Sequence, residues 1–96
     1  MKLFFTPEAR RDLASIGNWI AKDNQNRALT FVEELEVSCA EILNYPEKYP
    51  LALQFESKGV RRKVHGNYLI FYRVNTTQVE ILHVFHGAQD HSRFWD

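Results

Sequence analysis

Ninety-six residues, 45% apolar and 25% charged, suffice for one packed domain and are too few for two. Twelve basic and twelve acidic side chains cancel, so no global charge draws the chain to nucleic acid, and no apolar run nears the roughly 20 residues of a bilayer crossing. A lone cysteine, Cys39, leaves no internal disulfide, and the opening MKLFFTPEARRD lacks the apolar core of a signal peptide, so export is not expected.

The stretch KLFFT is a short β-prone run ending at Thr6-Pro7-Glu8, where a hydroxyl can cap free N–H groups and proline fits the first helical turn. A helix is expected from there. Ala9, Leu13, Ile16 and Ile20 recur at helical steps, while Arg10, Arg11, Asp12, Ser15 and Asn18 fall elsewhere on the wheel. The turn-prone KDNQN interrupts this pattern. Ala28, Phe31, Leu35, Ser38 and Ile42 then repeat it, flanked by Val32, Cys39 and Leu43, until Pro46 stops the second helix. So short a connection predicts an antiparallel helical hairpin.

The stretch YPEKYPLALQFESKG has two prolines near its start and after its second tyrosine, and no period, which reads as a loop. Beyond it VRRKVH, NYLIFYRV and QVEILHVFH are rich in Val, Ile, Tyr and Phe and separated by GN and NTTQ, the pattern of a three-stranded meander. The expected fold is therefore α+β: an N-terminal strand and a helical hairpin on one face of a mostly antiparallel three- to four-stranded sheet, in the order β-α-α-β-β-β. The whole of 1–96 forms one domain, with 88–96 as a tail. Both alternations of the second meander strand are apolar, yet no predicted element remains to cover the other sheet face.

Charge is unevenly placed. Residues 23–56 carry seven acids against Arg27 and Lys48, whereas residues 57–76 carry Lys58, Arg61, Arg62, Lys63 and Arg73 and no acid. The stretch KGVRRKVHGN is either a charge-protected edge strand or a footprint for a phosphate backbone or acidic protein surface. In ILHVFHGAQDHSRFW, His83 and His86 stand three apart on a strand and point to opposite faces, so they cannot share a metal. His83 is expected to share its face with Ile81 and Phe85 as a hydrogen-bonded, partly buried side chain. Ser38 and Cys39 lie in mid-helix, outside any nucleophile motif, and the four glycines form no phosphate loop. Trp19 and Phe31 broaden the apolar helical face, either as core or as part of a groove for an amphipathic partner segment.

In this order, TPEARRDLASIGNWIAKDN, RALTFVEEL, GNYLIFYRV and VEILHVFHGAQD resemble the toxins of the RelE/ParE superfamily, in particular its ParE branch, from about residue 2 to Asp90. The resemblance implies a cytoplasmic toxin of a type II toxin–antitoxin module, of the kind tied to plasmid maintenance and growth arrest. It implies no cofactor and no membrane, and a ParD-like antitoxin as partner in a heterotetramer or larger complex. ParE members poison DNA gyrase and RelE members cut messenger RNA in the ribosomal A site. On the ParE reading the protein is a non-enzymatic gyrase inhibitor, meeting DNA only within the gyrase complex. Target contact falls to Arg61, Arg62, Lys63, Arg73, His86 and Arg93, and antitoxin contact to Trp19, Ile20, Phe31, Leu35, Leu69 and Phe71. The alternative is a metal-independent ribonuclease using Arg61, Lys63 and His86. Against it, Leu69 stands where RelE-like enzymes place an arginine, and Ala88-Gln89-Asp90 replaces their basic ending. Gln89 also replaces the usual arginine of the ParE closing pattern HGARD, which leaves open an interaction protein that has lost toxicity.

Overall fold

The computed structural model describes residues 1–53 and 55–87. Strand β1 (Lys2–Phe5) leads into helix α1 (Pro7–Ala21) and helix α2 (Gln25–Glu41), and strands β2 (Val60–His65), β3 (Tyr68–Val74) and β4 (Gln78–His86) follow. The element order and the α+β class are those the sequence predicts. The sheet order is β1-β4-β3-β2, with β1 parallel to β4 and the remaining neighbours antiparallel, so the expected three to four strands are four.

Local chemistry sets the helix boundaries. Thr6 caps α1 by accepting from the Ala9 N–H at 3.1 Å, and Asn24 caps α2 by accepting from the Arg27 N–H at 2.9 Å. The helical hairpin buries Ala9, Leu13 and Ile16 of α1 and Leu35 and Cys39 of α2 against Ile70, Tyr72, Val79, Ile81 and Val84 of the sheet. Two glycines take left-handed backbone that other residues adopt only under strain: Gly66 (φ 58) in the β2–β3 turn and Gly59 (φ 69) before β2.

Two expectations are corrected. The second sheet face is not bare. Residues of the β2-proximal loop return along β2, with the Ala52 N–H donating to the Val60 carbonyl at 2.7 Å and the Arg62 N–H to the Pro50 carbonyl at 3.0 Å. Ala52 and the partly buried Phe55 thereby close over Val60, Phe71 and Phe85 as a second apolar cluster. The loop's apolar residues follow no period, so pattern alone did not mark them as a cover.

The second correction concerns His83. Tyr72 pairs with Ile81 while Phe71 pairs with His83, which leaves Leu82 as an extra residue. This bulge reverses the alternation of β4. Ile81 and Val84 join the helix-side core, whereas Leu82 and Phe85 join the second cluster. His83 stacks on Phe85 at 4.5 Å between ring centres and so faces away from Ile81.

Burial also sets thiol chemistry. Cys39 is fully buried, and desolvation pushes its thiol up to about 12. A thiol reagent at neutral pH should leave Cys39 unmodified in the folded protein and modify it fully after denaturation. Rapid modification of the native chain would contradict this packing.

Candidate functional site

The basic strand contributes less surface than its sequence suggests. Arg61, Lys63 and His65 alternate onto the helix side of β2, Arg62 and Val64 onto the other. Lys63 is only 8% exposed. Its ammonium donates to the Ser38 carbonyl at 2.7 Å and to Glu41 Oε1 at 3.2 Å. The Ser38 carbonyl lies in the last turn of α2, where carbonyls lack helical partners and carry the negative end of the helix dipole. Arg61 reaches the carbonyls of Glu47 at 3.3 Å and Tyr49 at 2.7 Å. Arg73 pairs across strands with Glu80 at 3.8 Å. Of the expected target-binding set, Arg61 and Lys63 therefore hold the fold, and Arg62 is exposed on the second face. Arg93, with Gln89, lies outside the described residues.

His86 sits far from Arg61 and Lys63. Register places it opposite Tyr68, whose other neighbour is His65, while Lys63 pairs with Ile70 and Arg61 with Tyr72. The three groups of the nuclease alternative do not converge on one hollow. Among the described residues no group of three His, Cys, Asp or Glu side chains could hold a metal.

The row His65–Tyr68–His86 ends the helix side of the sheet. Phe31 covers it from α2, 5.4 Å from Tyr68 and 6.0 Å from His65, and His86 meets Tyr68 edge-on at 5.3 Å. Arg27 lies over Phe31 at 5.1 Å and grips Glu34 at 2.6 and 3.2 Å. That hydrogen bond, with a smaller contribution from His65, holds the Glu34 carboxyl below its ordinary range. His83 is held elsewhere: Asp12 on α1 accepts from its Nδ1 at 2.9 Å and from the Val84 N–H at 3.0 Å. Asp12, assigned by periodicity to the polar side of α1, is thus a mostly buried clamp.

A hollow of about 740 Å³ forms a groove on the outer side of the hairpin between α1 and α2. Leu13, Ala14, Gly17, Ala21, Ala28, Leu29 and Val32 form its floor, with Arg10 on one rim and Glu33 and Glu36 on the other. A Cβ on Gly17 would stand 3.3 Å from Val32 Cγ2, so glycine permits the close approach of the two helices. None of the expected antitoxin-binding residues lines this groove. Leu35 is fully buried and Phe71 is 3% exposed, so neither offers a docking surface. Ile20, Phe31 and Leu69 pack partly buried against the two cores, and Trp19 opens onto a different hollow with Tyr68 and His86. The groove's signal in the sequence was the small-residue spacing of Ala14, Gly17 and Ala21 beside the core stripe.

The family model for the ParE toxin of the type II toxin–antitoxin system parDE matches residues 3–91. The chain belongs to this family. It is a type II toxin–antitoxin toxin by that membership. The structure resembles a chain of the chromosomal ParDE system from P. aeruginosa, with a TM-score of 0.76 and 20% identity over 90% of this chain and 95% of that one. It also resembles a chain of the toxin–antitoxin complex RelBE2 from Mycobacterium tuberculosis, with a TM-score of 0.58 and 26% identity over 88% of this chain and 95% of that one. No curated protein matches the chain significantly. Among the described residues of this ParE-family chain no helix is long and apolar enough to cross a membrane.

The two exposures of neighbouring cations give opposite expectations. Lys63→Ala should cost about 2 kcal/mol in urea denaturation, the range for a hydrogen bond from a charged group, because it strands the Ser38 carbonyl. Arg62→Ala should stay within about 0.5 kcal/mol. Equal effects would reject the assigned roles.

Proposed function

We propose that this chain inhibits DNA gyrase without catalysing a reaction itself, and that a ParD-like antitoxin neutralises it. Membership of the ParE family supports the target. The observation that carries the non-enzymatic part is the engagement of Arg61 and Lys63 by backbone carbonyls, two residues from one another on a strand that His86 does not approach. Metal-free RNA cleavage needs a base for the ribose hydroxyl, a cation for the phosphorane and an acid for the leaving oxygen, all converging on one phosphate. A cation held by a buried carbonyl is withdrawn from that task. Target contact then rests on the exposed Arg62 and on the His86 end of the sheet.

The groove between α1 and α2 is the docking surface for the antitoxin in this reading. Its floor is a continuous strip of small and apolar side chains along two parallel-sided helices, the shape an amphipathic helix fills with an i, i+3, i+4, i+7 stripe. Glu33 and Glu36 on the α2 rim favour basic residues on the matching flank of that helix, and Arg10 favours an acid on the other.

Purified toxin should block supercoiling by the host's own gyrase or accumulate cleaved DNA, and should leave translated messages intact in toeprinting. An inert supercoiling assay would reject this reading, and A-site cuts in the messages would replace it with the RelE-type one that the RelBE2 likeness favours. Leu29 is 68% exposed on the groove, so Leu29→Glu should leave thermal stability unchanged while weakening antitoxin binding roughly tenfold or more. Unchanged affinity, measured by calorimetry, would move the antitoxin elsewhere.

A further inference from the structure

Strand β1 lies at a margin of the sheet and pairs on one side, with β4. The Lys2 N–H donates to the Thr77 carbonyl at 3.0 Å and the Thr6 N–H to the Ile81 carbonyl at 3.1 Å, so the even-numbered residues of β1 turn their peptide groups toward β4. Peptide groups alternate in direction along a strand, and those of Leu3 and Phe5 therefore point away from the sheet. Among the described residues nothing meets these N–H and C=O groups.

Other margins are closed by the chain itself. The loop from Pro50 to Ala52 bonds along β2, and the Thr6 hydroxyl and the Asp12 carboxylate take up the edge of β4 at Ile81, Leu82 and Val84. Strand β1 has no such cover among the described residues, and its KLFF carries no proline and one charge, Lys2. Leu3 and Phe5 pack against the helix-side core, which sends Lys2 and Phe4 to the other face. Phe4 is 43% exposed there.

We propose that β1 pairs with β1 of a second copy of this chain, antiparallel about a two-fold axis at Phe4, joining two sheets into one. In that register Leu3 of each copy stands opposite Phe5 of the other, and both pairs exchange N–H and C=O, so every outward group of the strand is satisfied. Phe4 falls opposite its counterpart as the intervening non-bonded pair, where side chains on neighbouring strands come closest and aromatic pairs are favourable. Lys2 comes opposite Thr6, so no like charges meet. Symmetric registers centred on Leu3 or on Phe5 use only half of the strand's outward groups. The edge is thus its own complement in hydrogen bonds, charge and apolar surface, which is what commits it to a second copy. A pair of four-residue strands is smaller than a standard interface, so the association is weak, with a Kd on the order of tens of micromolar.

The test is sedimentation velocity of the untagged full chain from about 5 to about 500 µM. The weight-average mass is expected to rise toward that of a dimer across this range. Phe4→Lys, which sets two cations against each other at the axis, should weaken association about tenfold or more, and Trp19→Ala should change it less than about twofold. Hydrogen exchange of the parent, followed by NMR, needs no variant: the Leu3 and Phe5 amides should slow as concentration rises, in step with the mass. The proposal is overturned by a monomer at every concentration, by a dimer that Phe4→Lys leaves intact, or by Leu3 and Phe5 amides whose exchange ignores concentration. Neither gyrase nor antitoxin is present, so these outcomes are separate from those that decide the proposed function.

Discussion

A buried ammonium joins the two halves of this fold. Lys63 crosses from β2 to the last turn of α2 and donates to the Ser38 carbonyl, an acceptor that the helix itself leaves unsatisfied. Taking a lysine out of water is costly, and the contact offsets this with a short hydrogen bond, the negative end of a helix dipole and the face of Tyr49 at 5.3 Å. Glu41 adds little, because its side chain is more than half exposed and the attraction is screened. Two residues earlier on the same strand face, Arg61 fastens the carbonyls that follow α2. These two cations fix where the helical hairpin lies along the sheet, and the aromatic row and the groove take their places from that alignment.

The opposite margin of the sheet poses a related problem. Strand β1 pairs with β4 only from Gln78 to Ile81, whereas β4 continues to His86, and among the described residues no strand pairs with that further edge. Such an edge invites pairing with other chains. Here α1 covers it with side chains: the Thr6 hydroxyl donates to the carbonyls of Ile81 and Leu82, and the Asp12 carboxylate accepts the Val84 N–H together with His83 Nδ1–H. Thr6 thus caps a helix and closes a strand with one oxygen. The bulge at Leu82 falls where β1 ends, so the change of partner and the change of face occur together.

The sequence revealed what depends on neighbours along the chain. Ala9, Leu13 and Ile16, the cap at Thr6, the stop at Pro46 and the turn at Gly66 follow from local chemistry, and through them the element order was legible. The roles of Arg61 and Lys63 were not, because a cation on the core-facing alternation of a strand reads the same whether a carbonyl or a ligand awaits it. Asp12 was hidden for a similar reason: a carboxylate off the apolar stripe usually meets water, and its partners lie 71 and 72 residues away. The cover formed by Ala52 and Phe55 has no period to detect, and the bulge at Leu82 shifts an alternation that reads as uninterrupted in one dimension.

Helix α1 divides the remaining surface. Ala14, Gly17 and Ala21 face the groove, while Ser15, Ile16 and Trp19 face the aromatic end of the sheet, and on a wheel of 3.6 residues per turn these sets lie on opposite flanks. A helix laid in the groove therefore does not reach Trp19 unless its chain continues past the hairpin turn. If the target is met at the His86 end of the sheet, as proposed above, a partner confined to the groove would have to neutralise by bulk around the target, whereas a partner reaching the Trp19 end would act by occupying the contact itself. The two modes separate in one comparison: whether the toxin–antitoxin complex still exposes the Trp19 indole to an aqueous quencher. An exposed indole requires exclusion at a distance, and a shielded one requires direct competition at the end of the sheet.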